Sequence, residues 1–408
     1  MKLSLAAACA AALLIAWPRC TVAEESGLTL EQALARAREH APAIAAAKGR
    51  IDEARGRLVG ASVLFRDNPE IEGSAGARMT DHGELLEGSF GVRQLFELGG
   101  RRRARIAGAS AAIERESADT ADVTRRVLRD TATAFWDALH AAERQHLAEI
   151  ALGVTEETER IARRRYQAGD VGPLDANIAS AATARARSEV LAEKARYEAA
   201  VGSLRVALGM NAGEPLAIRG NLRPRPRYTM AELLARVSAR PDLQALDAGT
   251  REAAADVRLG RALRWPNVGL GATYERDDGN NLALGLVTVT LPIFDRGQGL
   301  TAESMARERR LEFELDATRR AVEVEVQSAF EVYARRAAAV DELERGALPA
   351  VEENEGLARR SYEAGQLSLA ELLSIRREIL DTRVEYLDRL HEAAVAAVEL
   401  EASAGVLQ

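Results

Sequence analysis

The sequence predicts a mostly α-helical protein that also carries a membrane β-barrel part and that arose by internal duplication. Three observations support this fold class: seven-residue apolar repeats over long stretches, a phrase that occurs twice, and paired segments in which polar and apolar residues alternate. Of the 408 residues, 47% are hydrophobic but only 4% are aromatic, a balance that favours closely packed helices over a thick mixed core. We therefore expect long coiled-coil hairpins combined with four β-strands.

The N-terminal segment, residues 1–23, has the composition of a secretory signal peptide. A basic Lys2 precedes an apolar run that ends at Trp17, and small residues lead to Ala23, which predicts cleavage near that residue. Both cysteines, Cys9 and Cys20, lie in this leader. The exported chain is therefore expected to have no disulfide, thiolate metal site or cysteine nucleophile.

Two further properties of the chain argue against a lipid anchor and against a nucleic-acid partner. The residues Trp17-Pro18-Arg19 stand where a lipoprotein signal has small residues, which argues against lipidation of Cys20. The formal net charge is −7, and it becomes more negative when Lys2 and Arg19 leave with the leader. This acidic balance argues against a nucleic-acid partner.

Long helices follow from the spacing of proline and of apolar residues. No proline occurs between Pro69 and Pro173, and a helix from about Gly100 to Gln167 would be roughly 100 Å long at 1.5 Å per residue. The seven-residue repeats that predict coiled-coil packing are Leu147, Val154 and Ile161; Val326, Tyr333, Val340 and Ala347; Leu373, Leu380, Leu387 and Ala394; and Val384, His391 and Val398.

The phrase "RRRYQAGD" at 163–170 returns as "RRSYEAGQ" at 359–366. Gly169 and Gly365 suit the left-handed residue that ends a helix, and Pro173 suits the start of the next one. Each copy is therefore predicted to be a hairpin tip. A helix stop alone would explain the glycines but not the shared Arg-Arg pair and tyrosine, from which we take Arg164, Tyr166, Arg360 and Tyr362 as docking residues of the tips.

The repetition extends to a whole unit. "TLEQALARAREHAPAI" at 29–44 matches "TMAELLARVSARPDL" at 229–243, and "NLRPRPRY" at 221–228 contains two prolines and no periodicity. This predicts a first repeat at 24–220, a linker at 221–228 and a second repeat at 229–408, each with helices, two strands and a long helical hairpin.

In four segments that precede the long helices, apolar and polar residues alternate with a period of two instead of following the helical period. Leu86, Phe90 and Val92 alternate with polar residues, and so do Val268, Leu270, Ala272 and Tyr274; a weaker segment near 71–79 and "NLALGLVTVTLPIF" complete two predicted hairpins. Their turns lie in "TDHGEL" and "RDDGNN".

Amphipathic strands of about ten residues in an exported protein are what a membrane β-barrel requires. Four strands cannot close a barrel, and open edges are forbidden in lipid, so we expect the chain to oligomerise. A soluble hairpin pair with ordinary core aromatics remains the alternative. The aromatic residues that would form an interfacial belt are Phe65, Phe90, Phe96, Trp265, Tyr274 and Phe294.

The chain resembles the TolC family of outer-membrane factors over essentially the whole exported sequence. The resemblance is carried by "LTLEQALARAREHAPAI" at 28–44, "FGVRQLFELGGRRRARI" at 90–106, the two Tyr-x-Ala-Gly tips and "LPIFDRGQG" at 291–299. The wording "QLFELGGRR" and "LPIFDRGQG" is most similar to the cobalt-zinc-cadmium cation-efflux branch.

The resemblance implies a homotrimer in outer-membrane lipid, with a twelve-stranded barrel and a helical tunnel that extends into the periplasm. The tips would meet a periplasmic adaptor protein, and Glu371 would line a constricted ring at the tunnel mouth with Asp175 as its counterpart. The sequence departs from the family pattern in two places, because Leu367 stands at the position of a gating arginine and Ser374 at that of a second ring acid. A Leu cannot make the charge-assisted bond of an arginine.

The resemblance further implies an exit duct that passes heavy-metal cations from an inner-membrane pump of the resistance-nodulation-division type. Multidrug export and type I protein secretion remain open, because the pump chooses the cargo. A soluble periplasmic coiled-coil adaptor would share the helices and the leader but would not need the strands. An enzyme would need a site, and no nucleophile, base and orienting group occur together.

The remaining candidates for chemistry do not form a site in the sequence. The five histidines, His40, His82, His140, His146 and His391, lack metal-ligand spacing, so no metal and no cofactor is expected. His82 is expected to be exposed in a strand turn. A run of four arginines lies at a predicted helix start, where the helix dipole disfavours cations: Arg101, Arg102, Arg103 and Arg105. Either membrane phosphates or acids of a partner protein offset this unfavourable interaction, or water solvates the charges.

Overall fold

The computed structural model describes residues 27–81, 83–223, 226–278 and 280–407. The predictions for the signal peptide, Cys9 and Cys20 and the prediction for His82 lie outside these residues. Two residues of the predicted linker, 224 and 225, also lie outside them.

The first half of the chain alternates short helices, strands and long helices. Its elements are α1 (Leu30–His40), α2 (Pro42–Ser62), β1 (Glu70–Thr80), β2 (Gly83–Glu97), α3 (Arg101–Gln167) and α4 (Pro173–Ala207). The predicted helix from about Gly100 to Gln167 is confirmed as α3, which has 67 residues.

The second half repeats this order. Its elements are α5 (Met230–Arg236), a 3-10 turn (Val237–Ala239), α6 (Pro241–Ala262), β3 (Asn267–Asp277), β4 (Asn280–Thr290), α7 (Gln298–Glu342), a π-helical turn (Leu343–Ala347), α8 (Leu348–Glu363) and α9 (Leu369–Ser403). The boundaries of the predicted repeats and linker stay a prediction.

The two halves begin with the same local structure. Thr29 and Thr229 are N-cap residues, and each accepts a hydrogen bond from the backbone N–H three residues later. The side chains of Gln32 and Glu232 accept in return from the backbone N–H of the cap residue. These reciprocal bonds satisfy donors that a helix start leaves free, so the repeated threonines fix where α1 and α5 begin.

The main apolar core lies where α1, α3, α4 and α9 meet. Leu128 and Phe135 of α3 pack there with Leu204 of α4 and Ala394 of α9, and all four side chains are fully buried. Alanine fills many of the remaining core positions, which lets the helices approach closely, as the composition predicts. Val326 and Val340 of the predicted seven-residue repeats are buried too.

A π-helical turn separates α7 from α8. Pro349 is the second residue of α8, which begins directly after this turn. A proline has no backbone N–H to donate, and its ring clashes with the carbonyl four residues earlier, which here belongs to Arg345. The wider π turn relieves this clash while the two helices stay in line.

The four strands form one antiparallel sheet in the order β1-β2-β3-β4. The two predicted hairpins are confirmed, and the pairing of β2 with β3 joins the first half of the chain to the second. In this pairing Phe90 lies directly opposite Tyr274. Strands β1 and β4 are the two edges of the described sheet.

One face of the sheet is apolar on all four strands. The pairing Ile71 with Val92, Val92 with Ala272, and Ala272 with Gly285 places these residues on one face. The same face carries further large apolar side chains that are exposed to solvent in the single chain, namely Met79, Leu86, Phe90, Leu270, Tyr274, Val287 and Val289. No segment of the described chain covers them.

The arginine run at the start of α3 connects the helices to the sheet. Arg101 is only 8% exposed and donates to the carbonyls of Ala262, Leu263 and Trp265, at and just beyond the end of α6. The C-terminal carbonyls of a helix carry partial negative charge. They therefore offset the cation that the start of α3 disfavours.

Two more arginines of this run also have partners within the chain. Arg105 donates two hydrogen bonds to the carboxylate of Glu97, of 2.8 and 2.7 Å, and Arg102 donates to the carbonyl of Ser62. Both interpretations offered by the sequence, lipid or partner acids and plain solvation, are therefore wrong for Arg101 and Arg105, whereas Arg102 is exposed and its charge is also solvated. Arg103 is exposed.

Candidate functional site

The predicted belt aromatics lie at two levels of the sheet. At the helix end, Phe65 packs edge-on against Phe96 with ring centroids 5.5 Å apart, Trp265 precedes β3, and Phe294, which follows β4, is 91% exposed. Phe96 lies opposite Val268, and Tyr274 is six residues farther along β3, which is about 20 Å at 3.4 Å per residue.

This spacing is close to the height of the apolar band in outer-membrane barrels, which is about 25 Å and is flanked by aromatic girdles. Phe90 and Tyr274 lie at the upper level on the apolar face, and both are about half exposed.

The two hairpin tips have the same backbone geometry. Gly169 and Gly365 have φ angles of +82° and +72°, as predicted for left-handed residues that end a helix. The N–H of Asp170 donates to the carbonyl of Arg165, and that of Gln366 donates to the carbonyl of Ser361, both at 2.8 Å. Each tip is therefore closed by the same glycine-dependent motif.

The side chains of the tips differ although their backbones match. Tyr362 packs against a small apolar cluster of Ala162, Ala179 and Leu369, and the guanidinium of Arg165 lies over its ring, 5.9 Å from the centroid. Tyr166, at the equivalent position of the first tip, is 47% exposed. The second tyrosine therefore holds the tips together, while the first is free to contact another molecule.

Arg164 and Arg360 occupy equivalent positions in the last turns of α3 and α8, which end at Gln167 and Glu363. Both side chains are exposed, and neither forms an ion pair with any residue in the described ranges. Arg163, in contrast, pairs with Glu159 at 2.5 Å. Arg164 and Arg360 thus present two solvated cations at the end of the hairpins.

Glu371 lies in the first turn of α9 and forms a capping box with Ser368. Its carboxylate accepts hydrogen bonds from the backbone N–H and the hydroxyl of Ser368, both at 2.8 Å, and the backbone N–H of Glu371 donates to that hydroxyl. The bonds from Ser368 lower the pKa of Glu371. The exposed carboxylate therefore stays ionised below the usual range of a glutamate.

Asp175 occupies the equivalent position in the first turn of α4, behind Gly172, which provides no side-chain cap. Leu367 is half-buried at the second tip, and Ser374 is exposed one turn into α9. The single chain does not show what any of these four side chains would meet in an assembly, so the ring stays a prediction.

A cluster that the sequence did not indicate joins α3 to α9. The rings of His140 and His391 stack with centroids 4.5 Å apart and planes 18° from parallel. His140 Nε2 is 2.8 Å from Asp388 Oδ1, and His391 Nε2 is 2.7 Å from Asp137 Oδ1. The sequence signal for this cluster is an Asp-x-x-His spacing that occurs on both helices, Asp137 to His140 on α3 and Asp388 to His391 on α9.

Among the helices within residues 27–81, 83–223, 226–278 and 280–407, none combines the length and the hydropathy of a membrane span. In the same part of the chain no three His, Cys, Asp or Glu side chains are arranged to hold a metal ion.

Comparison with known proteins decides the family. The family model described as outer membrane efflux protein matches residues 33–210 and 235–406, which is most of both halves. The chain belongs to the outer membrane efflux protein family. The resemblance seen in the sequence is thereby confirmed, and the protein is an outer-membrane efflux channel.

The similarity to individual proteins extends over most of this chain. The cobalt-zinc-cadmium resistance protein CzcC of Cupriavidus metallidurans is 27% identical over 92% of this chain and 89% of its own. The pyoverdine export outer membrane protein OpmQ of Pseudomonas aeruginosa is 28% identical over 78% and 69%. The crystal structure of CusC superposes with a TM-score of 0.76 at 17% identity, covering 92% of this chain and 91% of that one, which shows the shared fold.

Family membership also bears on the alternatives that the sequence left open. Members of this family are channels of the outer membrane, so the soluble periplasmic adaptor and the soluble hairpin pair are wrong. The family and the fold belong to transport proteins rather than to enzymes. Which substance the channel exports is a separate question.

Proposed function

We propose that three copies of the chain close one twelve-stranded barrel in outer-membrane lipid. The observation that carries this is the sheet itself, which has an exposed apolar face and two edges, β1 and β4. Unpaired backbone groups at an edge are too costly in lipid. Pairing of β1 with β4 of the next copy satisfies both edges in every copy, and lipid covers the apolar face.

The tips of the same trimer dock onto a periplasmic adaptor protein. The support is the repeated geometry of Gly169 and Gly365 together with the exposed side chains of Arg164, Tyr166 and Arg360. Three chains with two matching tips each present six similar ends. Tyr362, which packs inside the chain, contributes by holding its tip in place.

Glu371 and Asp175 line the narrow mouth of the tunnel. The support is their equivalent place in the first turns of α9 and α4, next to the tips. Capping by Ser368 does not compete with this role, because one carboxylate oxygen of Glu371 accepts both bonds. Three copies of each acid near one axis attract cations and repel anions.

The cargo of the duct is heavy-metal cations, delivered by an inner-membrane pump of the resistance-nodulation-division type. The support is the similarity to CzcC, which extends over 92% of this chain. No resident metal site is needed for this role, because a duct conducts its cargo without holding it.

Deletion of the gene in its host tests this cargo. The deletion strain is expected to lose tolerance to zinc, cobalt and cadmium salts, and the wild-type chain restores that tolerance. A second candidate is export of small organic compounds, favoured by the similarity to OpmQ. Unchanged metal tolerance together with new sensitivity to organic compounds would replace metal export by export of organic compounds. Retention of a normally secreted protein inside the deletion strain would support type I secretion instead.

A further inference from the structure

The stacked histidine pair lies on the seam between the two halves of the chain. Helix α3 belongs to the first hairpin and α9 to the second, and Asp137 and His140 of the one face Asp388 and His391 of the other. The positions do not correspond under the duplication, since the residues 196 positions away from the α3 pair are Tyr333 and Arg336. The cluster is therefore a product of the packing of α3 against α9.

Each helix supplies the acceptor for the other helix's imidazole. The two contacts, of 2.8 and 2.7 Å, cross between the helices, and the two rings stack between them. Both imidazoles are about one-fifth exposed, so water screens their charges only in part. The four side chains thus act as a clamp that joins the hairpins.

Charged groups from neighbouring helices act unequally on the two aspartates. Arg144 of α3 donates to both oxygens of Asp388 at 3.0 and 3.2 Å and also to Glu193 of α4, which Arg196 contacts as well. Asp388 therefore shares its charge between Arg144 and His140. For Asp137 the structure gives only the bond to His391.

The other charged groups beside the stack are bonded among themselves. On α9, Arg389 contacts Glu385 and Glu392, and Arg336 of α7 donates to the carbonyl of Glu392 at 3.1 Å. No further carboxylate within the described ranges is placed on either imidazole. The response of the cluster to protons is therefore set by two histidines, two aspartates and Arg144.

The stack tolerates one positive ring but not two. A single protonated imidazole keeps its aspartate and faces a neutral ring. When both rings are protonated, like charges face each other at 4.5 Å in a partly buried place, where their repulsion is only weakly screened. The proximity of the two rings therefore opposes the second protonation.

We propose that these four residues form a proton-sensitive clamp, which holds α3 against α9 at neutral pH and loosens when the second imidazole is protonated. The direction of the response follows from His140. Burial is the main cause that lowers its pKa; the bond to Asp388 opposes this, and the charges of His391 and Arg144 reinforce it.

A histidine with a lowered pKa in the folded state binds protons less readily than in the unfolded state. Its contribution to stability is complete above its unfolded pKa, near 6.5, and is lost as pH falls from that value through the folded one. The clamp is thus closed at pH 7.5 and weaker at pH 5.5. This inference rests on side-chain geometry and is independent of the cargo.

Hydrogen exchange of the full-length protein in detergent tests the clamp. Exchange of the α9 segment at 384–396, corrected for the intrinsic pH dependence of the reaction, is expected to rise on acidification from pH 7.5 to 5.5, by up to about tenfold for each unit of pKa depression. His140→Gln removes the buried imidazole, so the rise disappears, whereas His391→Gln removes only the neighbouring charge that reinforces the effect of burial, so the rise becomes smaller. His146→Gln, which removes an exposed histidine of α3, is the matched control and keeps it.

A second measurement covers the case in which a Gln variant does not fold. In the wild-type protein, nuclear magnetic resonance of labelled histidines should place the protonation midpoint of His140 below that of a solvent-exposed histidine in a model peptide. A wild-type α9 that exchanges equally at both pH values, a His140→Gln variant that retains the full rise, or a His140 midpoint that is not lowered would overturn the proposal.

Discussion

The guanidinium of Arg165 lies over the ring of Tyr362, 5.9 Å from its centroid, and so links the first hairpin tip to the second. In the repeated phrase Ser361 corresponds to Arg165, and Tyr166 corresponds to Tyr362. Because Ser361 has no cation to place over the ring of Tyr166, the reciprocal contact does not exist. The link is therefore one-sided. It explains why Tyr362 is held inside the chain while Tyr166 is exposed.

Arg165→Met should loosen the tips slightly, because it removes the cation and keeps most of the apolar stem. A cation over an aromatic ring at a partly exposed site contributes about 0.5–1 kcal/mol, which in a chain of this size corresponds to a fall in Tm of about 2 °C. Tyr362→Phe, which keeps the ring, should leave the melting temperature close to that of the wild type. A Phe variant that falls as far as the Met variant would show that the hydroxyl matters instead.

Glu371→Gln separates the charge of this residue from its capping role. Glutamine also completes a capping box with Ser368, so the trimer should melt as the wild type does, while cation selectivity and block by divalent cations weaken in planar-bilayer recordings. Glu371→Ala should lose the box as well and melt at a lower temperature than the Gln variant. Wild-type selectivity in the Gln variant would show that the carboxylate only caps α9.

Gly169 and Gly365 should tolerate asparagine better than valine. A Cβ at either position meets no atom within 4 Å, so the cost arises from the left-handed backbone alone, about 1–2 kcal/mol for an ordinary residue and less for asparagine. The valine variants are expected to lose adaptor binding in pull-down assays and export in cells, with trimers retained in the membrane. Gly153→Ala, inside α3 and also free of close neighbours, is the control; valine variants that export normally would contradict the docking role.

The sequence predicted those parts of the fold that depend on neighbouring residues. The period of two around Phe90 and Tyr274 predicted the strands, and the absence of proline before Pro173 predicted the length of α3. Gly169 and Gly365 predicted the tips because a left-handed helix end has few solutions other than glycine. The π turn before Pro349 also depends on neighbouring residues. It was not predicted, because a proline near the start of a helix is common and does not by itself indicate a π turn.

The parts that the sequence did not predict depend on residues far apart in the chain. His140 and Asp388 are 248 positions apart, and Arg101 reaches carbonyls more than 160 positions away. Backbone carbonyls carry no sequence signature, so the partners of Arg101 could not be identified. The crossed histidines were missed because metal-ligand spacing is sought between neighbouring residues, whereas His140 and His391 are 251 positions apart.

A disulfide scan between the two edge strands tests the trimeric barrel most directly. Gly76 of β1 and the alternate residues of β4 from Leu282 to Thr290 lie on the same face of the sheet. Within one chain β2 and β3 separate them by about 14 Å at 4.8 Å per strand, beyond the reach of a disulfide. Any disulfide must therefore join two copies.

Gly76→Cys is combined in turn with a cysteine at each of these β4 positions, in protein that is oxidised within its native membrane. We expect at least one pair of positions to give a covalent three-chain species, which a reductant converts back to single chains. Gly76→Cys alone should give no such species. Monomers at every register, or a cross-linked ladder that continues past three chains, would contradict a barrel closed by three copies.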